Sequence, residues 1–538
     1  MEMRAGEEDI EIAEDMTPSV VPLSYALHDA FLHSHCSSCF SLLPARVRDG
    51  AKAIAAARRI EMDENGKNDS TLLEAVLCLV LTNAVEVQDN EGRSLGIAVY
   101  GPNFSWINHS CSPNACYRFI ISPPDNVLPF RDDSRLRILP AGTKSDNGVH
   151  NNIEFPKGCS GSGPRVIVRS IKRIKKGEEV TVAYTDLLQP QEIRRSELWA
   201  KYRFICCCTR CIASPPSYVD HILQYCVHCC CDDFPIHDQI VSETGDEATR
   251  KMTDYVEEVT AEYLAIGDPE SCCKKLENML ITGLLDELLE VREGKSQLNF
   301  RLHPLHHLAL NSYTVLASAY KIRASNLLAL HSEVGGLSWE ALNMYRISAA
   351  YSLFLAASTY RLFCFESSLL ASVANFWASA GESLLALAKS SAWDSLGNCG
   401  FPVLNLSPLA EHKCSKCSLL ESFEVNLSFG QDQIRKADFD SVSNRFLDCF
   451  GSLLQKVWGF LIQGCRYLEV FKDPTDFTLD IWDFDVRFTH NDVDFNCWAN
   501  KSASEIEDLG YVDQWRMNIF KLGVHCLLYG GNYLLQDL

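Results

Sequence analysis

The sequence predicts an α+β protein whose front part is built from short strands and whose carboxy-terminal part is all-α. Three observations carry that expectation. Alternating β-type runs bounded by turn residues lie between residues 84 and 184. A cysteine-rich stretch follows, and from residue 246 to the end long Ala- and Leu-rich segments repeat at helical spacing. At 538 residues the chain exceeds what one hydrophobic core sustains, so more than one domain is expected. A 47% hydrophobic and 22% charged composition is that of a folded globular protein.

Residues 51–81 alternate charged and apolar groups at helical spacing, which predicts a helical insert near 50–82 with a polar break at 63–70. Val85–Val87 and Gly96–Tyr100 read as strands around the turn Asp89–Gly92. The stretch 108–114 is too polar and too limited by proline for regular structure. Residues 122–164, rich in Pro, Gly, Asn, Asp and Ser, read as a flexible surface insertion. RVIVRSIKRIKKGEEVTVAY, residues 165–184, is two β runs about the turn 175–178, a hairpin or a strand–turn–strand; its basic residues alternate with Ile and Val as on a solvated strand face. In the helical region, Leu305, Leu308, Ala309, Tyr313, Leu316 and Tyr320 fall on one stripe, with Pro304 near the helix start. Consecutive helical hairpins there suggest a tetratricopeptide-like stack.

Forty-nine basic against 70 acidic residues give a formal charge of −21, which disfavours a phosphate-backbone binder and suits a basic protein partner. No direct nucleic-acid binding and no membrane association are expected. Residues 1–16 carry seven acidic groups, unlike a secretory leader, and the uncharged stretches Ile347–Tyr360 and Ser367–Gly381 are shorter than a bilayer span. A reducing compartment, nucleus or cytoplasm, is therefore expected, where cysteines serve as thiols or metal ligands. Eight of the 24 cysteines lie between Cys206 and Cys231, and two CxxC pairs stand apart, Cys36/Cys39 and Cys414/Cys417.

Three segments carry chemistry: GPNFSWINHSCSPNACYRF around Asn108–Asn114, KKGEEVTVAYTDL with Tyr184, and KYRFICCCTRC with Cys206, Cys208 and Cys211 in CxCxxC spacing. In this order they resemble the SET-domain protein-lysine methyltransferases, and within them the SMYD-like branch, with a plant SET-domain-group member as the nearer likeness. LTNAVEVQDNEGRSLGIAVY upstream and LHPLHHLALNSYTVLASAY downstream extend the resemblance. It implies a SET β-fold with a pseudoknot over residues 1–215, a post-SET zinc site at 202–211, a Cys-rich linker at 216–245, and a tetratricopeptide-like helical domain at 246–538. It also implies S-adenosylmethionine-dependent methylation of a lysine on a histone or another basic protein, with further protein partners on the helical domain.

Residue by residue, the resemblance makes Tyr184 the active-site tyrosine. Asn83, Ser105, Trp106, Asn108, His109 and Phe204 become the cofactor pocket, and Tyr202 a wall of the lysine channel. Cys111, Cys206, Cys208 and Cys211 become the ligands of a structural zinc ion, a closed tetrahedral thiolate set with no open position for catalysis. Two family features are not found as written: the opening Gly-x-Gly strand has no counterpart in MEMRAGEEDI, and of the MYND zinc module only the pair Cys36/Cys39 near 36–39 remains. The alternative function is a catalytically impaired SET scaffold that binds proteins through its helical domain. A zinc-dependent module for an acidic or nucleic partner is a third reading, and the net charge counts against it. Cys226, His228, Cys229 and Cys231 form a second candidate zinc set, and Cys36/Cys39 with Cys414/Cys417 a third. His303, His306 and His307 have no Cys or carboxylate beside them at ligand spacing.

Overall fold

The computed structural model describes residues 80, 83–88, 94–100, 102–120, 165–202, 204–229, 238–283, 299–330, 337–390, 393, 436–475 and 509–535. The expectations for Cys36/Cys39, the helical insert near 50–82 (apart from residue 80), the insertion 122–164, Cys231 and Cys414/Cys417 lie outside these. Of Cys226, His228 and Cys229 only the backbone is described. The chain divides into two compact units, Met1–Pro216 and Ser217–Leu538.

In the first unit, β1 (Ala84–Gln88) and β2 (Ser94–Val99) pair antiparallel, with Val85 opposite Ala98. After the short helix α1 (Pro102–Ser105) come β3 (Asn108–His109) and β4 (Ala115–Ile120), then β5 (Arg165–Ser170) and β6 (Thr181–Val182). β4 pairs antiparallel with β5, whereas β3 pairs parallel with β6. The two β runs of 165–184 are thus a strand–turn–strand and not a hairpin. Alternation fixes which side chains face the core, and here Val166, Val168, Val180 and Val182 all do, but it does not choose the partner strand. Ten residues separate Ser170 from Thr181, more than the two to five of a usual hairpin loop, and each run finds its own partner. The turn itself forms, with Glu178 N–H donating to the Lys175 carbonyl and Gly177 at a φ of +88°. The expectation that 108–114 lacks regular structure is corrected for its first two residues: Asn108 and His109 become a strand because β6 lies beside them, a cause no local pattern reports.

Tyr100, Phe104, Ile107, Ala115 and the four valines form one buried cluster, with Tyr184 packed against its edge. Helices α2 (Gln191–Tyr202) and α3 (Thr209–Ile212) complete the unit.

The second unit opens inside the segment expected as a Cys-rich linker. That segment carries a helix, α4 (Tyr218–Ile222), and a strand, β7 (Cys226–Cys229), because its backbone pairs antiparallel with β8 (Asn299–Leu302), which is distant in sequence. Helices α5 (Asp238–Ile266) and α6 (Pro269–Thr282) follow, the latter capped by Asp268, whose carboxylate accepts from the N–H groups of Glu270 and Ser271. The remaining helices are α7 (His307–Leu330), α8 (Leu337–Phe363), α9 (Leu370–Lys389), α10 (Lys436–Ile462) and α11 (Leu509–Leu535). All six stripe residues, Leu305 to Tyr320, are buried. Helix α7 begins at His307, and Pro304 sits in the preceding turn: the Nδ1 atoms of His303 and His306 accept from the N–H groups of Leu305 and Leu308, so His306 does the work of a cap.

Helix α8 is buried on every side from Arg346 to Thr359, and its run from Ile347 to Thr359 carries no charge. Among the described residues no helix is long and apolar enough to cross a membrane. Helices α9 and α11 cross so closely that a Cβ on Gly381 would stand 2.6 Å from the Leu527 nitrogen, and one on Gly530 would stand 2.6 Å from the Ala374 oxygen. Glycine at these two positions is a packing requirement.

A carboxylate penetrates the helical packing. Glu277 on α6 accepts hydrogen bonds from the hydroxyls of Tyr320 and Tyr351, both 2.9 Å away, and lies 3.7 Å from the Cys465 thiol. Desolvation raises its pKa above the usual carboxyl value, outweighing the hydrogen bonds that favour the charge. A raised carboxyl contributes stability that is fully present below the unfolded pKa and is lost as pH rises through the folded one. Glu277→Gln keeps the acceptor and removes the titration. Its melting temperature should exceed that of the parent chain at pH 8 and converge on it, or fall below, near pH 4; about 2–4 °C corresponds to each kcal/mol in a unit of this size. Thermal melts across that range check the sign.

Candidate active site

The site grows from the parallel pairing of β3 with β6. Ser110 N–H extends it by donating to the Val182 carbonyl at 3.1 Å. Asn114 then clamps the same two segments with its side chain: Nδ2 donates to the Glu179 carbonyl, Oδ1 accepts from Thr181 N–H, both at 2.9 Å, and the residue is 8% exposed. Its own carbonyl accepts from the N–H groups of Ile171 and Lys172. The loop 110–114 is thereby fixed with almost no regular structure of its own. Lys172 Nζ adds a bond to the Ser112 hydroxyl at 2.8 Å.

His109 projects from this pairing into a cluster of rings. Its centroid lies 5.3 Å from Tyr184 and 5.9 Å from Phe204; Tyr184 lies 4.8 Å from Tyr202, and Tyr202 lies 6.3 Å from Phe204. Both ring nitrogens of His109 are engaged. Nδ1 accepts from Tyr184 N–H at 3.0 Å, which leaves the proton on Nε2, facing the Cys111 sulfur at 3.3 Å. Burial pushes the His109 pKa down to about 4, so the ring is neutral. The Tyr184 hydroxyl donates to the Ile107 carbonyl, and burial pushes its pKa up to about 12, which keeps it a protonated donor. Ile107 had no signal in the sequence, because a backbone carbonyl has none.

Cys111, Cys206, Cys208 and Cys211 converge beneath the rings, their four sulfurs within 4.8 Å of one another. Cys111 lies 3.5 Å from Cys211 and 4.0 Å from Cys206. Zinc–thiolate bonds of about 2.3 Å in a tetrahedron place sulfurs roughly 3.8 Å apart, so the donor set fits such an ion. A tight turn makes the spacing work: the N–H groups of Cys211 and Ile212 both donate to the Cys208 carbonyl. Cys207 is exposed and points its thiol toward the Ile205 carbonyl, outside the cluster. Hydrogen bonding among the sulfurs drives the Cys111 pKa up and the Cys208 pKa down, the response of four thiols too close to ionise together without a cation.

The remaining expected residues stand outside the ring cluster. Asn108 is exposed, its amide donating to the Glu179 carboxylate. The Ser105 hydroxyl donates to the Tyr100 carbonyl at 2.8 Å and closes the α1 turn. Trp106 is 37% exposed, and Asn83 is half-buried just ahead of β1. Asn114 closes the Asn108–Asn114 segment, but nothing local marks it as a clamp, and no local pattern marks Arg194 or Arg210 as buried. Arg194 is fully buried, its guanidinium donating to the Gln189 carbonyl at 2.6 Å.

A SET-domain family profile matches residues 63–185. Over its whole length the chain is 36% identical to Protein SET DOMAIN GROUP 41 of Arabidopsis thaliana, of which it covers 98%. The chain belongs to the SMYD-like plant SET-domain proteins. Mouse histone-lysine N-methyltransferase SMYD3 is 25% identical over 37% of this chain and 36% of its own length. Human N-lysine methyltransferase SMYD2 is 27% identical over 29% of this chain and 27% of its own length. The match to this family's SET profile ends at the tyrosine of the ring cluster, Tyr184, and its neighbour Thr185.

Asn114→Ala removes the partners of the Glu179 carbonyl and the Thr181 N–H, each part-buried bond contributing about 0.5–1.5 kcal/mol. This SET unit should lose roughly 1–3 kcal/mol of stability. Hydrogen exchange should show 108–114 and 179–182 losing protection while α7–α9 keep theirs.

Proposed function

We propose that the chain is an S-adenosylmethionine-dependent protein-lysine N-methyltransferase acting on a histone or another basic protein in the nucleus or cytoplasm. The observation that carries this is the convergence of a protonated tyrosine hydroxyl and three further rings on the β3–β6 pairing. On this reading that pairing with its Asn114 clamp is the SET pseudoknot, and the four cysteines hold a structural zinc ion. A sulfonium cofactor suits the donors present, since a cation favours aromatic faces and carbonyl oxygens such as that of Ile107. When bound, S-adenosylmethionine supplies an electrophilic methyl group in line with an incoming nucleophile.

The chain's own residues do the rest. The Tyr184 hydroxyl donates a hydrogen bond to the Ile107 carbonyl and so turns its oxygen lone pairs to other donors, among them the N–H of a substrate amine. The rings of Tyr184, Tyr202 and Phe204 exclude water, and the strongly hydrated ammonium loses more by that than the weakly hydrated sulfonium, which helps the lysine arrive as the neutral nucleophile. His109 is not the base, because Nδ1 is held by Tyr184 N–H and Nε2 already carries the proton. Its contribution to cofactor binding falls to its main chain and ring face, beside Asn108 and Phe204; Asn83, Ser105 and Trp106 are proposed as the outer pocket. The net charge of −21 favours encounter with a lysine-rich protein. The helical unit, read as tetratricopeptide-like, is proposed to hold protein partners.

Tyr184→Phe should lower methyl transfer to a histone or peptide mixture by about 10²–10³-fold, a loss typical of deleting one aligned polar group. Circular dichroism and zinc content should stay unchanged. Full activity in that variant overturns the assignment. Absence of S-adenosylmethionine binding in calorimetry of the parent chain turns the choice to the scaffold.

A further inference from the structure

Charge is divided unevenly along this chain. Residues 217–538, the helical unit, hold 24 basic against 43 acidic groups, whereas residues 1–216 hold 25 against 27. The acidity that disfavours a polyanionic ligand is therefore a property of the helical unit. Within the SET unit the basic groups are also concentrated: the segment from Arg165 to Lys176 contains six of them and no acidic residue. Exposed charges more than about 8 Å apart are largely screened at physiological ionic strength. A ligand on this segment responds to the local charge and not to the total of −21.

The fold turns that run into a surface. Pairing of β4 with β5 sets Tyr117 opposite Val168, and both pack into the buried cluster of the unit. The alternate positions lie on the other face, with Cys116 opposite Arg169 and Arg118 opposite Ile167. Arg118 and Arg169 are thus diagonal neighbours on one face, a spacing of roughly 7–8 Å. Burial, and after it the charge of Arg169, lowers the Arg118 pKa, so the two guanidinium groups feel each other. Like charges so placed repel, and an oxyanion that both contact converts the repulsion into attraction. The loop 171–180 then continues directly from β5, and in it Arg173, Lys175 and Lys176 are exposed. Lys172 is tied to the Ser112 hydroxyl. The two acidic residues that follow are already engaged: the Glu178 carboxylate accepts from Lys175 N–H, and that of Glu179 from the Asn108 amide. Their two charges stand against five basic side chains.

We propose that the outer face of the β4–β5 pair and the loop after it, with Arg118, Arg169, Arg173, Lys175 and Lys176, form a contact surface for the phosphate backbone of a nucleic acid. The proposal goes beyond methyl transfer and does not depend on it. A nucleic acid suits the surface better than an acidic protein. The charges follow one another along a strand and a loop, as a row of phosphates requires, and guanidinium forks match phosphate oxygens in pairs. Contacts of this kind hold and orient a duplex without reading its sequence. For this face, local charge replaces the expectation drawn from the total charge, that no nucleic acid binds.

The experiment is fluorescence anisotropy of a labelled DNA duplex of arbitrary sequence, titrated with the full-length chain between about 50 and 200 mM salt. The parent should bind, with log K falling against log salt at a slope of about −4 if five cations each meet a phosphate. The triple variant Arg173→Gln, Lys175→Gln, Lys176→Gln should bind at least about 10-fold more weakly at low salt and flatten that slope by about 2–3. Arg118→Gln should also weaken binding, which ties the strand face to the loop. Lys321, Lys389 and Lys456 are exposed on the helical unit, and replacing all three by Gln removes the same charge from elsewhere. That control should bind as the parent does. Circular dichroism of each variant checks that it is folded, and all six positions of the two triple variants are exposed. A parent chain that does not bind the duplex overturns the proposal, as does equal weakening by the two triple variants. Binding of polyglutamate through the same residues in place of DNA also overturns it and assigns the face to an acidic protein. No arm requires methyl transfer, so failure here and failure of the methyltransferase reading are separate results.

Discussion

The side-chain amide of Asn114 stands in for a peptide group. By donating to the Glu179 carbonyl and accepting from Thr181 N–H, it continues the two-residue ladder between β3 and β6 across a gap where no strand exists. A parallel pair of two residues cannot hold by itself, and here the segments it joins are more than sixty positions apart in the chain. Ordering so remote a contact costs loop-closure entropy, which the paired strand groups and the buried amide must offset together. The positions of His109, Tyr184 and Cys111 all depend on this junction, because each lies within five residues of it.

From that junction a single ring carries the geometry in two directions. His109 accepts the N–H of Tyr184 on one side and presents Nε2–H to the Cys111 sulfur on the other. The Cys111 sulfur and the Tyr184 backbone are thus bridged by one rigid imidazole. Cys206, Cys208 and Cys211 lie just past Tyr202 and Phe204, so closing the cluster also draws those rings to His109 and Tyr184. A structural metal in this place would shape the pocket without touching anything that reacts.

The helical unit reaches its shape by different means. Its core is dense in aromatic contacts, with Tyr529 stacked on Phe446 at 3.7 Å and both beside Trp377, and its closest crossing depends on glycines that have no side chain to separate α9 from α11. The stripe from Leu305 to Tyr320 and the apolar runs of α8 and α9 were legible as buried faces, since helical period reports burial directly. The Tyr320–Tyr351–Glu277 network was not, because nothing local marks which carboxylate will end among tyrosines from other helices.

By itself, the sequence determined the kinds of element and the chemical inventory. Alternation marked β1, β2, β5 and the turn at Gly177. The NHSC, VAY and CxCxxC segments named the histidine, tyrosine and cysteines that the structure brings together. Those are local properties, set by period, turn chemistry and spacing. Only the tertiary structure decided that β5 and β6 would take different partners, that Asn108–His109 would become a strand, that Asn114 would be a clamp, and that Arg194 and Arg210 would be buried. Each of these is a long-range pairing or a question of charge in a dry interior. Its energy depends on groups tens of residues away, so no stretch of the chain read alone contains it.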